Sequence, residues 1–259
     1  MTADSIAQGV SLKMVKSILI SQPKPVQKSP YYDLEQKYGL QIDFRSFIQV
    51  EGLSAKEFRK QKVYPEEYSS VILNSKNSVD HFFRLCEEMR IKVSQETKYF
   101  CLTENIANYL QKFILFRKRK VFNGTKVIQD LAPYFNKHKD KETFLFPCSN
   151  IGSPEITNYL KEANINYQEA VMYRTVSSDL SDLSDITYDV LVFFSALDIK
   201  SLYENFPDFK QNDTRIAVFG NTTNKAVLER GLNVDILAPT PEIPSMPMAL
   251  EKYILMSNK

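Results

Sequence analysis

The sequence predicts an α/β protein made of two similar lobes with mainly parallel sheets. Short apolar runs alternate with helical patterns along the 259-residue chain, as they do in proteins whose parallel strands are buried on both faces. An apolar run that ends in small polar residues, 70–79, recurs about 120 residues later at 190–199. Each copy continues into a helical pattern, so a buried strand runs into a helix N-terminus in both halves of the chain.

The first half supplies one copy of the predicted elements. Residues 17–21 read as a short strand, which Pro23 and Pro25 interrupt. A helix over 31–38 is ended by Gly39 in the C′ position. Partial alternation then predicts one extended strand over 41–50. The remaining elements are a helix over 54–62 with Ser54 as its N-cap, strands over 70–73 and 99–102, and helices over 78–90 and 105–113.

The second half repeats this order. The predicted strands are 143–147, 165–176, 190–194, 215–220 and 234–237. The predicted helices are 156–163, ended by Asn164, then 224–230, ended by Gly231, and 246–255. Corresponding elements are offset by about 126 residues at first and about 117 later, a drift that loops of different length explain.

Composition excludes several classes of function. Apolar residues make up 43% of the chain and charged residues 25%, and the net charge is only +2. The apolar fraction suffices for sizeable cores, and this charge does not indicate a nucleic-acid partner. No apolar stretch approaches the roughly 18 residues of a membrane span, and residues 1–13 lack the apolar core of a signal peptide. We therefore expect a cytoplasmic protein, and a monomer, because nothing indicates a coiled coil or a large apolar surface.

Cysteine and histidine usage does not indicate a metal. Cys86, Cys101 and Cys148 are scattered, without the spacing of metal ligands, and are expected to be reduced, buried thiols. His81 and His138 are the only histidines, and the chain contains no HxxxH or CxxC. We therefore expect no metal cofactor. His81 falls on the predicted helix after Ser75 and is interpreted as a residue of the helix face.

Some charged segments are interpreted as structural. The basic run at 117–120 could stabilise a helix C-terminus, contact nucleic acid or bind a substrate carboxylate, but a solvated turn is favoured. Lys137, Lys139 and Lys141 are assigned to a mobile loop, and residues 123–125 to a turn.

The two strand-to-helix transitions suggest an anionic ligand. Free backbone N–H groups and the macrodipole at a helix N-terminus favour negative charge, and ligands of parallel sheets bind outside the carboxyl ends of the strands. Two such sites in one chain suggest two lobes that grip one polyanionic ligand. A nucleotide is not indicated, because GxGxxG and Walker sequences are absent.

The motifs of the second half resemble those of the uroporphyrinogen-III synthase family. They are Phe-Phe-Ser at 193–195, Phe-Gly-Asn-Thr-Thr at 219–223, Gly-Leu-Asn-Val at 231–234 and Ala-Pro-Thr-Pro at 238–241. The strand at 171–176 and the loop at 147–150 also resemble family segments, and the resemblance spans roughly residues 16–256. Ala196 and Asn221 stand where the family usually has Pro, and 101–103 lacks the Gly of a common Gly-x-x-Thr turn.

This resemblance implies a particular domain organisation. The family has two α/β lobes joined by a two-stranded β ladder, and one lobe is discontinuous. In this chain the discontinuous lobe would comprise 16–40 and 177–259, and the other lobe 51–165. The linker strands would be 41–50 and 166–176.

The resemblance also implies an activity. The family consists of cofactor-independent lyases that close the linear tetrapyrrole hydroxymethylbilane into uroporphyrinogen III, with inversion of ring D through a spiro intermediate and loss of water. The substrate loses its hydroxyl to form an azafulvene cation, which closes unaided to the uninverted isomer. The enzyme's task is then mainly to hold the chain in the conformation that leads to inversion. The alternative is an inactive or binding-only bilobal relative that binds an anionic metabolite.

The residues expected to bind the substrate are small hydrogen-bond donors. They supply the N–H and hydroxyl groups that acetate and propionate side chains need, although the same residue types are favoured as N-caps. Tyr173 is the candidate for acid assistance to the departing hydroxyl, because a phenol can donate a proton or hydrogen bond; simple ring packing is the alternative in a chain with 14 tyrosines. The candidate binding residues are Ser75, Asn77, Ser78, Thr103, Ser149, Asn150, Ser195, Asn221, Thr222 and Thr223.

Overall fold

The computed structural model describes residues 13–183 and 187–258. Its strands are β1 (Ser17–Ile20), β2 (Gln41–Phe44), β3 (Ile48–Gly52), β4 (Ser70–Leu73), β5 (Lys98–Cys101), β6 (Val121–Asn123), β7 (Phe144–Ser149), β8 (Tyr167–Ser177), β9 (Val190–Phe193), β10 (Arg215–Phe219) and β11 (Ile236–Ala238). Its α-helices are α1 (Pro30–Tyr38), α2 (Ala55–Arg59), α3 (Lys76–Glu88), α4 (Glu104–Leu110), α5 (Ala132–His138), α6 (Pro154–Glu162), α7 (Ala196–Asn205), α8 (Asn221–Glu229) and α9 (Met246–Ser257). The expectation that residues 1–13 are not a signal peptide falls, except for Lys13, outside the described residues.

The chain divides into two compact units. Unit 1 contains the described residues up to Gln49 and from Val176 onward, and unit 2 is Val50–Thr175. Unit 1 is therefore discontinuous in sequence. Sheet order is β11-β10-β9-β1-β2 in the first sheet and β3-β8-β7-β4-β5-β6 in the second.

The sheet of unit 1 is parallel and covered on both faces. Its paired strands all run parallel. Ile18 and Ile20 of β1 pack in a cluster with Leu250 of α9. Leu19 points to the other face and packs with Ile199 of α7, because successive side chains of a strand alternate between faces. Burial on both faces explains why this strand is a continuous apolar run.

Unit 2 follows the same plan. β4, β5, β6, β7 and β8 pair in parallel. Val71 and Leu73 of β4 pack in a cluster with Phe82 of α3, whereas Ile72 packs on the opposite face with Phe135 of α5. The order β4-α3-β5-α4 thus repeats as β9-α7-β10-α8, which confirms the duplicated α/β pattern predicted from the sequence.

The prediction of one extended strand over 41–50 is wrong. The structure has two strands there, and only the second belongs to the sheet of unit 2. β2 pairs in parallel with β1, and the chain leaves that sheet at Arg45, whose N–H donates to the carbonyl of Ile20 at 2.9 Å. Phe47 is buried and packs edge-on against Phe193, with ring centroids 5.7 Å apart. This anchored aromatic ring breaks the strand.

Residues 167–177 and one lysine of the expected mobile loop lie in regular secondary structure. Most of β8 pairs with β7 inside the sheet of unit 2, from Tyr167 opposite Phe144 to Tyr173 opposite Ser149. Lys137 lies in helix α5 rather than in a mobile loop, because Phe135 on that helix is fully buried. The strand β6 was also not predicted.

The three cysteines are buried thiols. Cys86, Cys101 and Cys148 are free and buried, as predicted, and burial raises the pKa of each thiol to about 12. Among the described residues, every helix is too short or too polar to span a lipid bilayer.

Candidate functional site

The carboxyl edge of the sheet in unit 2 gathers the candidate residues of that unit. Ser75 follows β4, Thr103 follows β5, and Ser149 ends β7. Because these strands are parallel neighbours, their carboxyl ends meet at one edge of the sheet. Tyr173 lies opposite Ser149 in the register of β7 and β8, so this tyrosine reaches the same edge.

The Tyr173 hydroxyl lies 3.3 Å from the hydroxyl of Ser75, within hydrogen-bond distance. The tyrosine is buried, with 6% of its surface exposed. Burial raises the pKa of the phenol above its ordinary value of 10.0, the hydrogen bond with Ser75 lowers it, and Cys148 raises it further; the net direction is upward. The phenol is therefore protonated at neutral pH and able to donate.

Ser75 and Ser78 form a capping box at the start of α3. The N–H of Ser78 donates to the hydroxyl of Ser75 at 3.1 Å, and the N–H of Ser75 donates to the hydroxyl of Ser78 at 3.1 Å. Ser78 is fully buried, so its side chain serves the helix. Asn77 is exposed in the first turn. The N–H groups of Lys76 and Asn77 precede the first intrahelical hydrogen bond and can bind an anion.

His81 lies on α3, as expected, but its contacts were not predicted. Its ring stacks on that of Tyr173, with centroids 5.0 Å apart and planes 19° apart. Its Nδ1 accepts a hydrogen bond of 3.2 Å from Nε of Arg84. Burial and the Arg84 charge hold the pKa of His81 below its ordinary value, and Asp80 opposes them. A neutral imidazole thus supports one face of the phenol ring.

Arg84 fixes this imidazole in turn. Its guanidinium donates to the carbonyl of Leu53 at 2.7 Å and to Glu88 at 2.8 Å. A Cβ at Gly52 would lie 2.7 Å from Nη2 of Arg84 and 2.8 Å from Nδ1 of His81. Glycine at this position is therefore what lets the two side chains meet. The i, i+3 spacing of His81 and Arg84 on one helix was a readable signal of their contact.

The other candidates of unit 2 differ in their roles. Some lie at the carboxyl edge of the sheet, and Asn150 stabilises the end of a strand. Thr103 is the N-cap of α4 but makes no capping hydrogen bond with its side chain. Ser149 ends β7 and is half-buried. Asn150 accepts from the N–H of Thr175 at 3.0 Å, and its own N–H donates to the carbonyl of Tyr173 at 3.2 Å. Asn150 thus holds the end of β8, which carries the phenol.

The carboxyl edge of the sheet in unit 1 carries the second group of candidates. Ser195 caps α7, and its hydroxyl accepts from the N–H of Asp198 at 3.3 Å. One oxygen of the buried Asp198 carboxylate accepts from Ser21 Oγ, Phe194 N and Ser195 N at 2.8, 2.9 and 3.0 Å. The amides of this turn are therefore occupied by a carboxylate of the protein itself. Asp198 was missed, although the spacing Ser195-x-x-Asp198 is that of a capping box.

The neighbouring helix of unit 1 presents the remaining candidates. Gly220 is the N-cap of α8, with φ 89°, and supplies no side chain to cap the helix. Asn221 and Thr222 in the first turn are exposed, whereas Thr223 is buried. β9 and β10 pair in parallel, so the starts of α7 and α8 lie at the same edge.

These features define an α/β protein in which each of two units presents amide and hydroxyl donors at the carboxyl edge of a parallel sheet. In unit 2 they are joined by a buried, protonated phenol. Within the described residues, no cluster of His, Cys, Asp and Glu side chains is arranged to hold a metal ion.

Comparison with known proteins identifies the family. The model of the family described as Uroporphyrinogen-III synthase HemD matches residues 31–247, and the chain belongs to this family. A uroporphyrinogen-III synthase of Chlorobaculum parvum is 23% identical over 256 residues, which cover 93% of this chain and all of the relative.

Solved structures share the fold. Uroporphyrinogen-III synthetase from Helicobacter pylori superposes with a TM-score of 0.58 at 18% identity, over 93% of this chain and all of that one. A mutant uroporphyrinogen III synthase from Thermus thermophilus gives a TM-score of 0.51 at 14% identity, over 93% of this chain and 99% of that one. These similarities confirm the two-lobed α/β fold class predicted from the sequence.

Proposed function

We propose that this chain is a cofactor-independent lyase that converts hydroxymethylbilane, a linear tetrapyrrole, into uroporphyrinogen III. The observation that carries the proposal is the protonated Tyr173 phenol beside the N-terminus of α3, in a chain of the uroporphyrinogen-III synthase family. We also propose that the protein acts as a monomer in the cytoplasm.

The chemical step begins with loss of the substrate's hydroxyl. The bond between the hydroxymethyl carbon and its oxygen breaks, the oxygen leaves as water after taking a proton, and the electron pair of the pyrrole nitrogen stabilises the azafulvene cation. Tyr173 donates this proton or a hydrogen bond to the departing oxygen. The terminal pyrrole ring then attacks the cationic methylene carbon through the ring carbon that already bears its own bridge, which gives a spiro intermediate. The bond from that ring carbon to its original bridge breaks, and the released bridge carbon becomes an azafulvene cation on the neighbouring ring. The free α-carbon of the inverted ring attacks this second cation and loses its proton, which balances the proton consumed when water left.

Choice of isomer comes from binding rather than from acid chemistry. The cation closes to the uninverted isomer when it is free, so the protein must hold the chain where the inverted closure is faster. Acetate and propionate groups supply the contacts, through helix N-terminal N–H groups and exposed or half-buried small polar side chains. We assign this role to Asn77 and Ser75 at α3, to Thr103 and Ser149 beside them, and to Asn221 and Thr222 at α8.

The test supplies freshly made hydroxymethylbilane and resolves the I and III isomers after oxidation. Enrichment of the III isomer above the spontaneous background is the expected result. Formation of the I isomer alone by folded protein would contradict the proposal and leave a binding-only role. Direct binding of the substrate would then be measured separately.

A matched pair of variants tests the phenol. Tyr173→Phe keeps the ring on His81 and removes only the hydroxyl. We expect about a tenfold lower rate of III formation, equivalent to about 1.4 kcal/mol, since one hydrogen bond is lost from a reaction that is intrinsically easy. Tyr167→Phe is the control. Tyr167 is also on β8, and its hydroxyl donates a hydrogen bond to the backbone carbonyl of Thr157, away from the candidate residues. Complete loss of activity in a folded Tyr173→Phe variant would contradict a mainly conformational catalyst.

A further inference from the structure

A cavity lies at the opposite end of β5 from the candidate site. It occupies about 240 Å³ in unit 2 and is bordered by Tyr99 at the start of β5 and Val121 at the start of β6. Thr103, in contrast, follows the carboxyl end of β5. We call this space the amino-end cavity. The proposed reaction assigns no role to it.

Lys120 brings a buried positive charge to this cavity. Its side chain is only 8% exposed, and its Nζ donates to the carbonyl of Gln95 at 2.6 Å. Its carboxylate partner is Glu96, also at 2.6 Å, but the side chain of Glu96 is 76% exposed. A desolvated ammonium group needs an anion, and here the anion is at the end of an exposed side chain. The counter-ion of Lys120 is therefore exchangeable.

Arg117 extends the cationic side of the cavity. Its guanidinium lies 3.7 Å from Glu96 and 3.4 Å from the side-chain oxygen of Gln95. These distances are longer than those of a strong charge-assisted hydrogen bond, so Arg117 has donor capacity left. The basic run at 117–120 was interpreted from the sequence as a solvated turn, and the structure has a turn there but buries Lys120.

Another part of the cavity lining is aromatic. Phe83 and Phe113 stack with ring centroids 4.8 Å apart and planes 11° apart. Phe113 is 39% exposed and Leu115 is 77% exposed, so this wall has apolar surface that a ligand would remove from water. The cavity thus has a planar apolar face and a cationic rim, which fit a ligand with one ring system and one carboxylate.

We propose that the amino-end cavity binds a small aromatic monocarboxylate, whose carboxylate displaces Glu96 from Lys120 and Arg117 while its ring packs against Phe113. The volume is below the roughly 300–1,000 Å³ of sites for drug-sized molecules, so the ligand has one or two rings. Glu96 acts as an internal competitor, and it occupies the cationic rim when the ligand is absent.

Indole-3-acetate is a suitable probe because the chain contains no tryptophan, so indole fluorescence reports the probe alone. We expect a saturable rise in its fluorescence anisotropy with protein concentration. Indole-3-acetamide, a neutral molecule of nearly the same shape, should bind at least about tenfold more weakly, since a hydrogen bond to a charged group is lost. Lys120→Met, which keeps the aliphatic stem, should abolish binding of the acetate.

The sharpest test is Glu96→Gln, which changes an exposed side chain and removes the competitor. We expect about two- to fivefold tighter binding of indole-3-acetate, the range of an exposed ion pair. Glu162→Gln makes the same change of charge at an exposed site of α6 and should leave affinity unchanged. Equal binding of acetate and acetamide, or weaker binding to Glu96→Gln than to the unaltered protein, would overturn the proposal. Absence of any saturable anisotropy change would overturn it as well.

Discussion

Asp198→Ala should destabilise unit 1 by an amount that can be worked out from its contacts. The carboxylate is 2% exposed and accepts three hydrogen bonds from Ser21, Phe194 and Ser195. Alanine leaves these three donors without their acceptor while it keeps the helical backbone of α7. The substitution therefore removes one buried and two partly buried hydrogen bonds without introducing strain.

The expected loss of unfolding free energy depends on how exposed the three hydrogen-bond donors are. A hydrogen bond to a charged group is worth about 1.5–3 kcal/mol when buried. The Ser21 hydroxyl is buried, and we assign about 1.5 kcal/mol to it. Phe194 and Ser195 are half-buried, so water can partly replace the carboxylate, and we assign about 0.75 kcal/mol to each N–H. The expected loss is about 3 kcal/mol, a large share of the 5–15 kcal/mol typical of a folded domain.

Urea unfolding followed by far-UV circular dichroism measures this loss. With a slope of about 2 kcal/mol per molar urea, the transition of unit 1 should move by about 1.5 M. Asp208→Ala removes the same charge from an exposed position just after α7 and should change the free energy of unfolding by less than about 0.5 kcal/mol. A loss below about 1 kcal/mol for Asp198→Ala would refute the reasoning, since the three donors would then have other acceptors.

Two further predictions concern unit 2. Gly52→Ala places a Cβ against Arg84 and His81, so we expect a loss of about 1–2 kcal/mol in urea unfolding together with a lower rate of III-isomer formation; an unchanged rate would show that the support of Tyr173 by His81 is dispensable. Burial raises the pKa of Glu142, but hydrogen bonds from Lys98 and serines hold it below its ordinary value of 4.5. Its stabilising contribution is therefore present above pH 4.5 and is lost as pH falls through the lower folded-state pKa. The difference in unfolding free energy between the unaltered protein and Glu142→Gln should be constant above about pH 5 and shrink in acid, and a difference that grows in acid would contradict this sign.

The repeating elements of the fold could be predicted because their signals are local. Buried parallel strands such as β4 and β9 are short apolar runs, and Gly39 and Gly231 end helices with positive φ of 63° and 71°. The break at Phe47 could not be predicted, because it depends on packing against Phe193, far away in sequence. The strand β6 was missed because three residues at the edge of a sheet have no readable periodicity. Helix α5 did carry a signal, since Ile128 and Leu131 just before it and Phe135 within it recur at helical spacing.

The site was only partly predictable for the same reason. Placement of Ser75 and Ser195 at strand ends followed from the apolar runs before them. The contact between Tyr173 and Ser75, which are 98 residues apart, depends on the sheet order β8-β7-β4 and on the register of β7 with β8. A sequence does not reveal strand order, so the phenol could be nominated from the family resemblance but its neighbours could not.

The duplication also separates the candidate residues into two kinds. Helices α3 and α7 begin with the same serine cap, but the third helical residue is the neutral Ser78 in α3 and the anionic Asp198 in α7. A carboxylate at this position already neutralises the positive end of the helix, and a substrate carboxylate would be repelled by it. The first turns of α3 and α8 contain no acidic residue. Substrate carboxylates should therefore bind at α3 and α8, while Ser195 serves mainly to cap α7, and substitutions at Asn77 and Asn221 should weaken substrate binding more than Ser195→Ala does.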